Sequence, residues 1–239
     1  PNPLPVHSLP YIGNLRRIVA NSGDGASLPA PPYNELEAMT LEVINAKPAP
    51  GTNEYNMAFW WRDFPGTSTP GHYVSILRQV LQKEKATLDV AALAYALGGI
   101  IDVDITISTW QDKYKYLLAR PFNYDDVIGQ PFTSLLGAPH PEYPAGHATL
   151  SSANAEAMAA VFGENYAFTD STFYIYEVAN PVSLKQPVRM FHSFREAGEE
   201  AGWSRLFGGI HYRKSIEDGF WQGRKVATNI ITNLKFRKD

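Results

Sequence analysis

One uncharged apolar run constrains the fold of this 239-residue chain more than any other feature. It covers residues 90–101, between Asp89 and Asp102. A membrane span needs about 18–20 apolar residues, and no continuous apolar run in the sequence is that long. Apolar positions nearly all round a helix are typical of a helix inside a bundle. We therefore predict a central bundle helix over about residues 86–109, and no membrane span.

The rest of the chain alternates helical patterns with proline-rich irregular stretches. Seven prolines in the first 32 residues predict an extended lead-in segment over residues 1–32. Residues 33–239 then form a single helical-bundle domain of all-α class with long irregular loops. Irregular structure is predicted over 121–146 and 163–189, with a short extended piece at 173–178. Apolar spacing predicts further helices over about 33–46, 52–62, from 70 onward, 147–162, 190–206 and 212–234.

Composition and missing motifs exclude several function classes. The chain has no cysteine, which excludes thiolate nucleophiles, iron–sulfur clusters and cysteine zinc sites. With 21 basic and 24 acidic residues the net charge is -3, so nothing indicates nucleic acid or an anionic membrane as a partner. Metalloprotease, P-loop and esterase motifs are absent from the sequence. Any anion site must therefore be local.

Three short patterns each supply part of an oxyanion site, and the first is a pair of cations. Lys113 and Arg120 stand seven residues apart, and Pro121 follows. Seven residues are about two helical turns, so a helix would direct both cations to one side. The alternative is an ordinary solvated charged face.

The second and third patterns combine glycine with histidine. In the segment YPAGHATLSS, Gly146 lets the backbone approach a ligand, and His147 lies in the first turn of a predicted helix, where anions bind well. Further on, two glycines at 208–209 separate Arg205 from His211, and a bend there would direct both side chains into one pocket. The alternatives are a helix start that happens to contain histidine, and a surface arginine with a capping histidine.

Taken in order, the three patterns resemble the signature of the type 2 phosphatidic acid phosphatase superfamily. That superfamily contains bacterial class A acid phosphatases, lipid phosphatases and vanadium-dependent haloperoxidases, which share a helical bundle. The resemblance implies a site for vanadate, in competition with phosphate. It implies that Lys113, Arg120, Arg205 and the Gly146 amide hold the oxyanion, that His211 is the nucleophile or vanadium ligand, and that His147 is the acid–base partner.

Further residues resemble the haloperoxidase branch over about residues 33–235. Trp110 precedes the lysine by three residues, as a tryptophan does in those enzymes. The segment FWWRDFPGTSTPGHY resembles the haloperoxidase stretch whose acid pairs with the oxyanion-binding arginine, which implies Asp63 as the partner of Arg205. His140 stands where bromoperoxidases have a histidine and chloroperoxidases a phenylalanine. The alternatives are core packing for Trp110 and an ordinary loop position for His140.

Two positions depart from the family pattern. Ala145 replaces a serine, and losing a hydrogen bond to a charged group costs roughly 1.5–3 kcal/mol. Ser215 stands four residues after His211, where an aspartate often orients the acid–base histidine. Asp218 and Glu217 are the candidate substitutes.

The resemblance implies a vanadate-dependent haloperoxidase-like enzyme that oxidises bromide or iodide with hydrogen peroxide at a His-ligated vanadate. The alternative is an acid phosphatase that hydrolyses phosphomonoesters at the same site through a phosphohistidine intermediate. A third reading is an oxyanion-binding helical domain without catalysis. Haloperoxidases of this type usually have a second helical bundle upstream, so the resemblance implies either a chain that lacks an N-terminal portion or a reduced version of the enzyme. Export or a periplasmic location follows from the resemblance alone, since the chain starts without a leader. The sequence does not indicate an oligomeric state.

Overall fold

A computed structural model describes residues 9–63, 68–173 and 188–236 of the chain. These residues form mainly helices, which confirms the predicted all-α bundle. Two 3-10 turns, Ile12–Asn14 and Tyr33–Glu35, precede the first α-helix. In chain order the elements are α1 (Leu36–Asn45), α2 (Asn53–Trp60), α3 (Thr69–Glu84), α4 (Leu88–Tyr116), α5 (Pro121–Tyr124), α6 (Gly146–Phe162), β1 (Phe168–Asp170), β2 (Arg189–Phe191), α7 (Phe194–Phe207) and α8 (Arg213–Asn233).

The centre of the bundle is α6 rather than α4. Every residue of α6 from Gly146 to Ala155 is buried, and the helix contacts α3, α4, α7 and α8. A Cβ atom on Gly223 of α8 would lie 2.2 Å from the carbonyl oxygen of Thr149 in α6. Only glycine permits this close approach of the two helices. The N-terminus of α6 is consequently enclosed by its neighbours.

Helix α4 is longer than predicted and less enclosed. It continues seven residues past Thr109 and ends where Leu117 adopts the left-handed conformation, with φ 50°. Leu88, Tyr95 and Val103 are exposed along it. Among the described residues, one helical stretch, Leu88–Tyr124, has the length and apolar composition to cross a membrane, which core helices of soluble proteins share.

The lead-in segment packs along α4. The Asp104 carboxylate accepts hydrogen bonds from the backbone N–H groups of Ile18 and Val19, at 2.7 and 2.9 Å. The Nε atom of Arg17 donates to the hydroxyl of Ser108 at 3.1 Å. The segment is therefore attached to the bundle over its described part, and residues 1–8 lie outside the described residues.

Two antiparallel strands were not predicted: β1 lies in the stretch predicted as irregular, and β2 lies at the predicted start of the following helix. Strand β1 pairs with β2 in the register Phe168 to Phe191. Helix α7 accordingly begins at Phe194, four residues after the predicted start, and the hydroxyl of its N-cap Ser193 accepts from the Glu196 N–H at 3.1 Å. The extended piece predicted at 173–178 lies outside the described residues, except for its first residue.

Candidate active site

A cavity of about 570 Å³ opens beside the N-terminus of α6. Residues from five separate parts of the chain line it. Seven of the nine predicted site residues are among them: Asp63, Trp110, His140, Gly146, His147, Arg205 and His211. The other two, Lys113 and Arg120, are buried next to these residues.

Lys113 holds the loop that leads into α6. Its ammonium group donates to the carbonyl oxygens of Pro141, Glu142 and Pro144, at 2.8, 3.0 and 2.5 Å. Burial, together with the charge of Arg120, lowers the pKa of Lys113 well below its usual value. An ammonium group has three N–H donors. All three therefore face main-chain oxygens here, so the clearest effect of Lys113 is to shape the loop.

Arg120 reaches the site by a chain turn, and the helical explanation given for its position is wrong. Helix α4 ends at Tyr116, and Arg120 is the N-cap of α5. Its guanidinium donates to the carbonyl oxygens of His140 and Ile210, at 2.9 and 2.7 Å. The Nη1 atom also lies 3.3 Å from Nε2 of His211. Arg120 thus joins two loops beneath the cavity.

Arg205 and His211 converge across the predicted glycine turn. Gly209 has φ 77°, and a Cβ atom there would lie 2.6 Å from the ring of Phe132. Arg205 donates through Nη2 to the Ala58 carbonyl oxygen at 2.8 Å and through Nε to the hydroxyl of the preceding serine at 2.9 Å. In the described part of the chain its Nη1 atom has no hydrogen-bond acceptor. Burial lowers the pKa of Arg205 to about 9, which leaves it charged at neutral pH.

His147 has one ring nitrogen fixed by the protein. Its Nε2 atom lies 2.7 Å from the Trp61 carbonyl oxygen and 3.1 Å from the hydroxyl of Thr69. A carbonyl oxygen only accepts, so Nε2 bears the proton and Nδ1 has the lone pair. Burial, followed by the charge of Arg205, lowers the pKa of His147 well below its usual value. The ring is therefore neutral at ordinary pH.

Asp63, predicted as the partner of Arg205, contacts Thr69 and lies near His147 instead. Its Oδ1 atom accepts from the Thr69 hydroxyl at 3.1 Å, and its Oδ2 atom lies 3.8 Å from Nε2 of His147. Within the described ranges it forms no direct ion pair with Arg205, although its charge raises the pKa of that arginine. Asp63 and Arg205 thus interact at longer range than predicted.

His211 is held by an acid that sequence reasoning missed. Its Nδ1 atom lies 2.8 Å from Oε1 of Glu142, which is completely buried. The predicted substitutes, Asp218 and Glu217, are candidates for orienting the acid–base histidine His147, and neither is hydrogen-bonded to His147 in the described part of the chain. Asp218 accepts from the hydroxyl of Tyr143 at 2.8 Å, and no hydrogen bond joins Glu217 to His211 in the part of the chain that the structure describes. The sequence signal was an acid inside the proline-rich loop HPEYPAGH.

Trp110 and His140 form a pair on the cavity wall. Their ring centroids lie 5.1 Å apart. Burial lowers the pKa of His140 to about 2, so this ring is neutral. The indole N–H of Trp110 is buried and has no acceptor among the described residues. Both side chains line the cavity, and Trp110 also packs against the buried hydrophobic residues between α4, α6 and α8.

The donors around the cavity fit a phosphate-like oxyanion such as vanadate. Arg205 lines the cavity, and its Nη1 atom has no protein acceptor in the described structure. Gly146 is the first residue of α6, where backbone N–H groups have no acceptor within the helix. The Nε2 lone pair of His211 could bind the central atom. No group of three or more His, Cys, Asp or Glu side chains that could hold a metal cation occurs among the described residues.

Comparison with known proteins supports the helical fold. The family model described as the VCPO second helical-bundle domain matches residues 123–237. A structure described as the first bacterial vanadium-dependent iodoperoxidase is 27% identical, with a TM-score of 0.86 over 98% of this chain and 59% of that one. Holo-type and apo-type structures of a bacterial vanadium-dependent chloroperoxidase are 15% and 16% identical, with TM-scores of 0.72 and 0.70. They cover 94% and 95% of this chain, and 54% and 56% of theirs.

The chain therefore spans between half and two thirds of the length of these structures. No curated protein matches it in sequence.

Proposed function

Because the chain has the helical fold of the vanadium haloperoxidases, we propose that it binds vanadate in the described cavity and oxidises iodide or bromide with hydrogen peroxide. The observation that supports this most is the arrangement of His211. Its Nε2 atom carries a lone pair and lies beside Arg120, on a cavity that Arg205 and the Gly146 amide also line. Cations and N–H donors around one nucleophilic nitrogen are what a bound oxyanion requires.

Each residue has a defined task in this proposal. Vanadate, when bound, would activate hydrogen peroxide for oxygen transfer to the halide. His211 would hold it through Nε2, while Arg205 and the Gly146 N–H would offset its negative charge. His147 would exchange a proton with the reacting group through Nδ1, since Nε2 already donates to Trp61.

Two observations support iodide or bromide over chloride. His140 stands where the resembled bromoperoxidases have a histidine, and it lies on the cavity wall against Trp110. The iodoperoxidase structure also superposes on this chain with a higher TM-score than the chloroperoxidase structures do. Buried cations next to the cavity favour the entry of a halide anion.

A phosphatase remains the second candidate because the same histidine fits that reaction. A neutral His211 with a carboxylate 2.8 Å from Nδ1 is a suitable nucleophile for a phosphorus atom. The same arginines would stabilise the transferred phosphoryl group.

A paired assay separates these functions. One arm follows iodide and bromide oxidation by peroxide after incubation with orthovanadate, and the other follows p-nitrophenyl phosphate hydrolysis without vanadate. Halide oxidation that requires vanadate, with little hydrolysis, is the expected result. His211→Ala should abolish it, whereas His192→Ala, at an exposed position outside the cavity, should not.

Two other outcomes would contradict the proposal. Hydrolysis that vanadate inhibits, without halide turnover, would identify a phosphatase. Tight vanadate or phosphate binding without turnover in either arm would identify a binding domain.

A further inference from the structure

We infer that Glu142 is the positioning residue for His211 and that Ser215 holds Glu142 in place. This inference deepens the proposed function, on which it rests for the role of His211. The side chain of Glu142 is completely buried, and a buried carboxyl group is stable only when hydrogen bonds satisfy it. Its two oxygens have three partners, in His211, Tyr212 and Ser215.

The hydrogen-bond pattern fixes which nitrogen of His211 carries the proton. The backbone N–H of Tyr212 donates to Oε1 of Glu142 at 2.9 Å, and a backbone N–H can only donate. When Glu142 is ionised, Oε1 can only accept, so His211 Nδ1, at 2.8 Å from it, donates. In a neutral imidazole the other nitrogen, Nε2, then holds the lone pair. Glu142 thus directs that lone pair away from itself and toward Arg120 and the cavity.

The same cluster joins the two segments that form the oxyanion site. Glu142 belongs to the loop before α6, whereas His211 lies two residues before α8 and Ser215 lies in the first turn of α8. The Ser215 hydroxyl donates to Oε2 of Glu142 at 2.6 Å, and the Ser215 carbonyl oxygen accepts from the Ala145 N–H at 3.1 Å. One carboxyl group and its hydrogen-bond partners therefore fix the position of the His211 ring relative to the Gly146 amide.

Ser215 offers a second place for the carboxyl group. Its hydroxyl oxygen is already within 2.6 Å of the Glu142 carboxylate, and it lies one helical turn after His211. An aspartate at position 215 would therefore bring a carboxylate close to the position that Glu142 now fills. If positioning is the function of Glu142, moving the carboxylate in this way should restore the site.

The first measurement uses the protein without vanadate. With ¹⁵N-labelled histidine, NMR reports which ring nitrogen of His211 bears the proton, and the His211→Ala variant assigns the signal. We expect Nδ1 to be protonated in the wild type and in Glu142→Gln, whose amide oxygen still accepts. In Glu142→Ala we expect a substantial population with the proton on Nε2, and in Glu142→Ala/Ser215→Asp a return to Nδ1.

The second measurement is vanadate affinity by isothermal titration calorimetry. Removing a carboxylate that orients a ligating histidine typically weakens affinity by about 10–100-fold, and we expect a loss in this range for Glu142→Ala. Glu142→Gln should lose roughly tenfold, because the charge is gone while the shape remains. The double variant should recover to within about threefold of the wild type. Asp218→Asn is the matched control. It changes a buried carboxylate on the same helix as Ser215, and the hydrogen-bond partners of Asp218 are Tyr143 and Lys214 rather than His211.

The results also separate this inference from the proposed function. Unchanged Nδ1 protonation and unchanged affinity in folded Glu142→Ala would overturn the inference, even if the wild type oxidises halide. If Glu142→Ala does not fold, unchanged affinity in the isosteric Glu142→Gln would overturn it. A response of the ring proton and of the affinity in a protein that oxidises no halide would support the positioning role and refute only the activity.

Discussion

The two histidines of the site are fixed through opposite ring nitrogens. Nε2 of His147 donates to the Trp61 carbonyl oxygen, whereas Nδ1 of His211 donates to Glu142. Trp61 is itself held, because its indole N–H donates to Glu200 at 2.9 Å and its ring stacks on His72 at 4.5 Å. Each histidine therefore has one nitrogen in a structural bond and one left for chemistry.

This division predicts distinct effects for the two histidines. His147→Ala should reduce kcat for halide oxidation by about 10²–10⁴-fold, because a general acid–base group is lost. Vanadate affinity should change by less than about threefold, since the cations and His211 remain. Steady-state kinetics and calorimetry on the same preparation provide both values, with His192→Ala as the control. Equal losses of kcat and affinity would show that His147 is mainly a binding residue.

The sequence predicted the histidines but not the acid that orients His211. The three short patterns and the family resemblance together predicted seven residues that the structure brings to the cavity and two that it buries beside them. Glu142 and His211 are 69 residues apart, and their contact depends on how the loop before α6 meets the start of α8. A single sequence contains no spacing rule for such a contact.

At the scale of elements, the position of α6 depends on small residues where it crosses α8. Gly219 and Gly223 face α6, and a Cβ atom at Gly219 would lie 2.8 Å from the Cβ of Ala148. The crossing brings the first turn of α6 close to the start of α8, where His211 lies. Packing of this helix pair therefore determines the distance between the Gly146 amide and His211.

Gly223→Ala should destabilise the protein by about 1–3 kcal/mol, because the added methyl would lie 2.2 Å from the Thr149 carbonyl oxygen. The matched control is Gly98→Ala in α4, where a Cβ atom would have no neighbour within 4 Å. Alanine favours helix, so the control should be unchanged or more stable by up to about 1 kcal/mol. Urea unfolding followed by circular dichroism measures both. Equal stability of the two variants would contradict the close crossing.

Sequence periodicity predicted where the helices lie better than it predicted the turns and strands that connect them. It located the helix that begins at Gly146 to within one residue. It failed for Arg120, because the left-handed conformation of Leu117 that ends α4 gives no periodic signal. It also missed β2, since a strand of three residues is defined by its partner β1 and not by its own pattern.

At the scale of the whole molecule, the local charge differs from the global charge. The chain has net charge -3, yet Lys113, Arg120 and Arg205 are all buried at or beside one cavity. Glu142 is the acid among them, and Asp63 is half exposed at the cavity edge. Burial lowers the pKa of Arg120 to about 10 and that of Arg205 to about 9, because loss of hydration destabilises the charged form of each side chain.

An oxyanion should therefore stabilise the folded protein. At a concentration 100 times its dissociation constant, a ligand adds about 2.7 kcal/mol, equivalent to a rise in Tm of roughly 5–10 °C for a domain of this size. Differential scanning fluorimetry with orthovanadate and with phosphate measures the rise, and sodium chloride at equal ionic strength is the control. Arg205→Gln should lose most of it, whereas Arg213→Gln, a surface change outside the cavity, should keep it. An equal rise with sodium chloride would refute a specific oxyanion site.

The Arg205–Ala58 hydrogen bond joins residues 147 positions apart, and the Arg120–His211 contact joins residues 91 apart. Loops of this length close late in folding, after local helices have formed. The oxyanion donors therefore converge only where these distant segments of the chain have come together. Oxyanion binding is consequently a reporter of completed folding, and it distinguishes the native protein from a collapsed helical intermediate with the same circular dichroism.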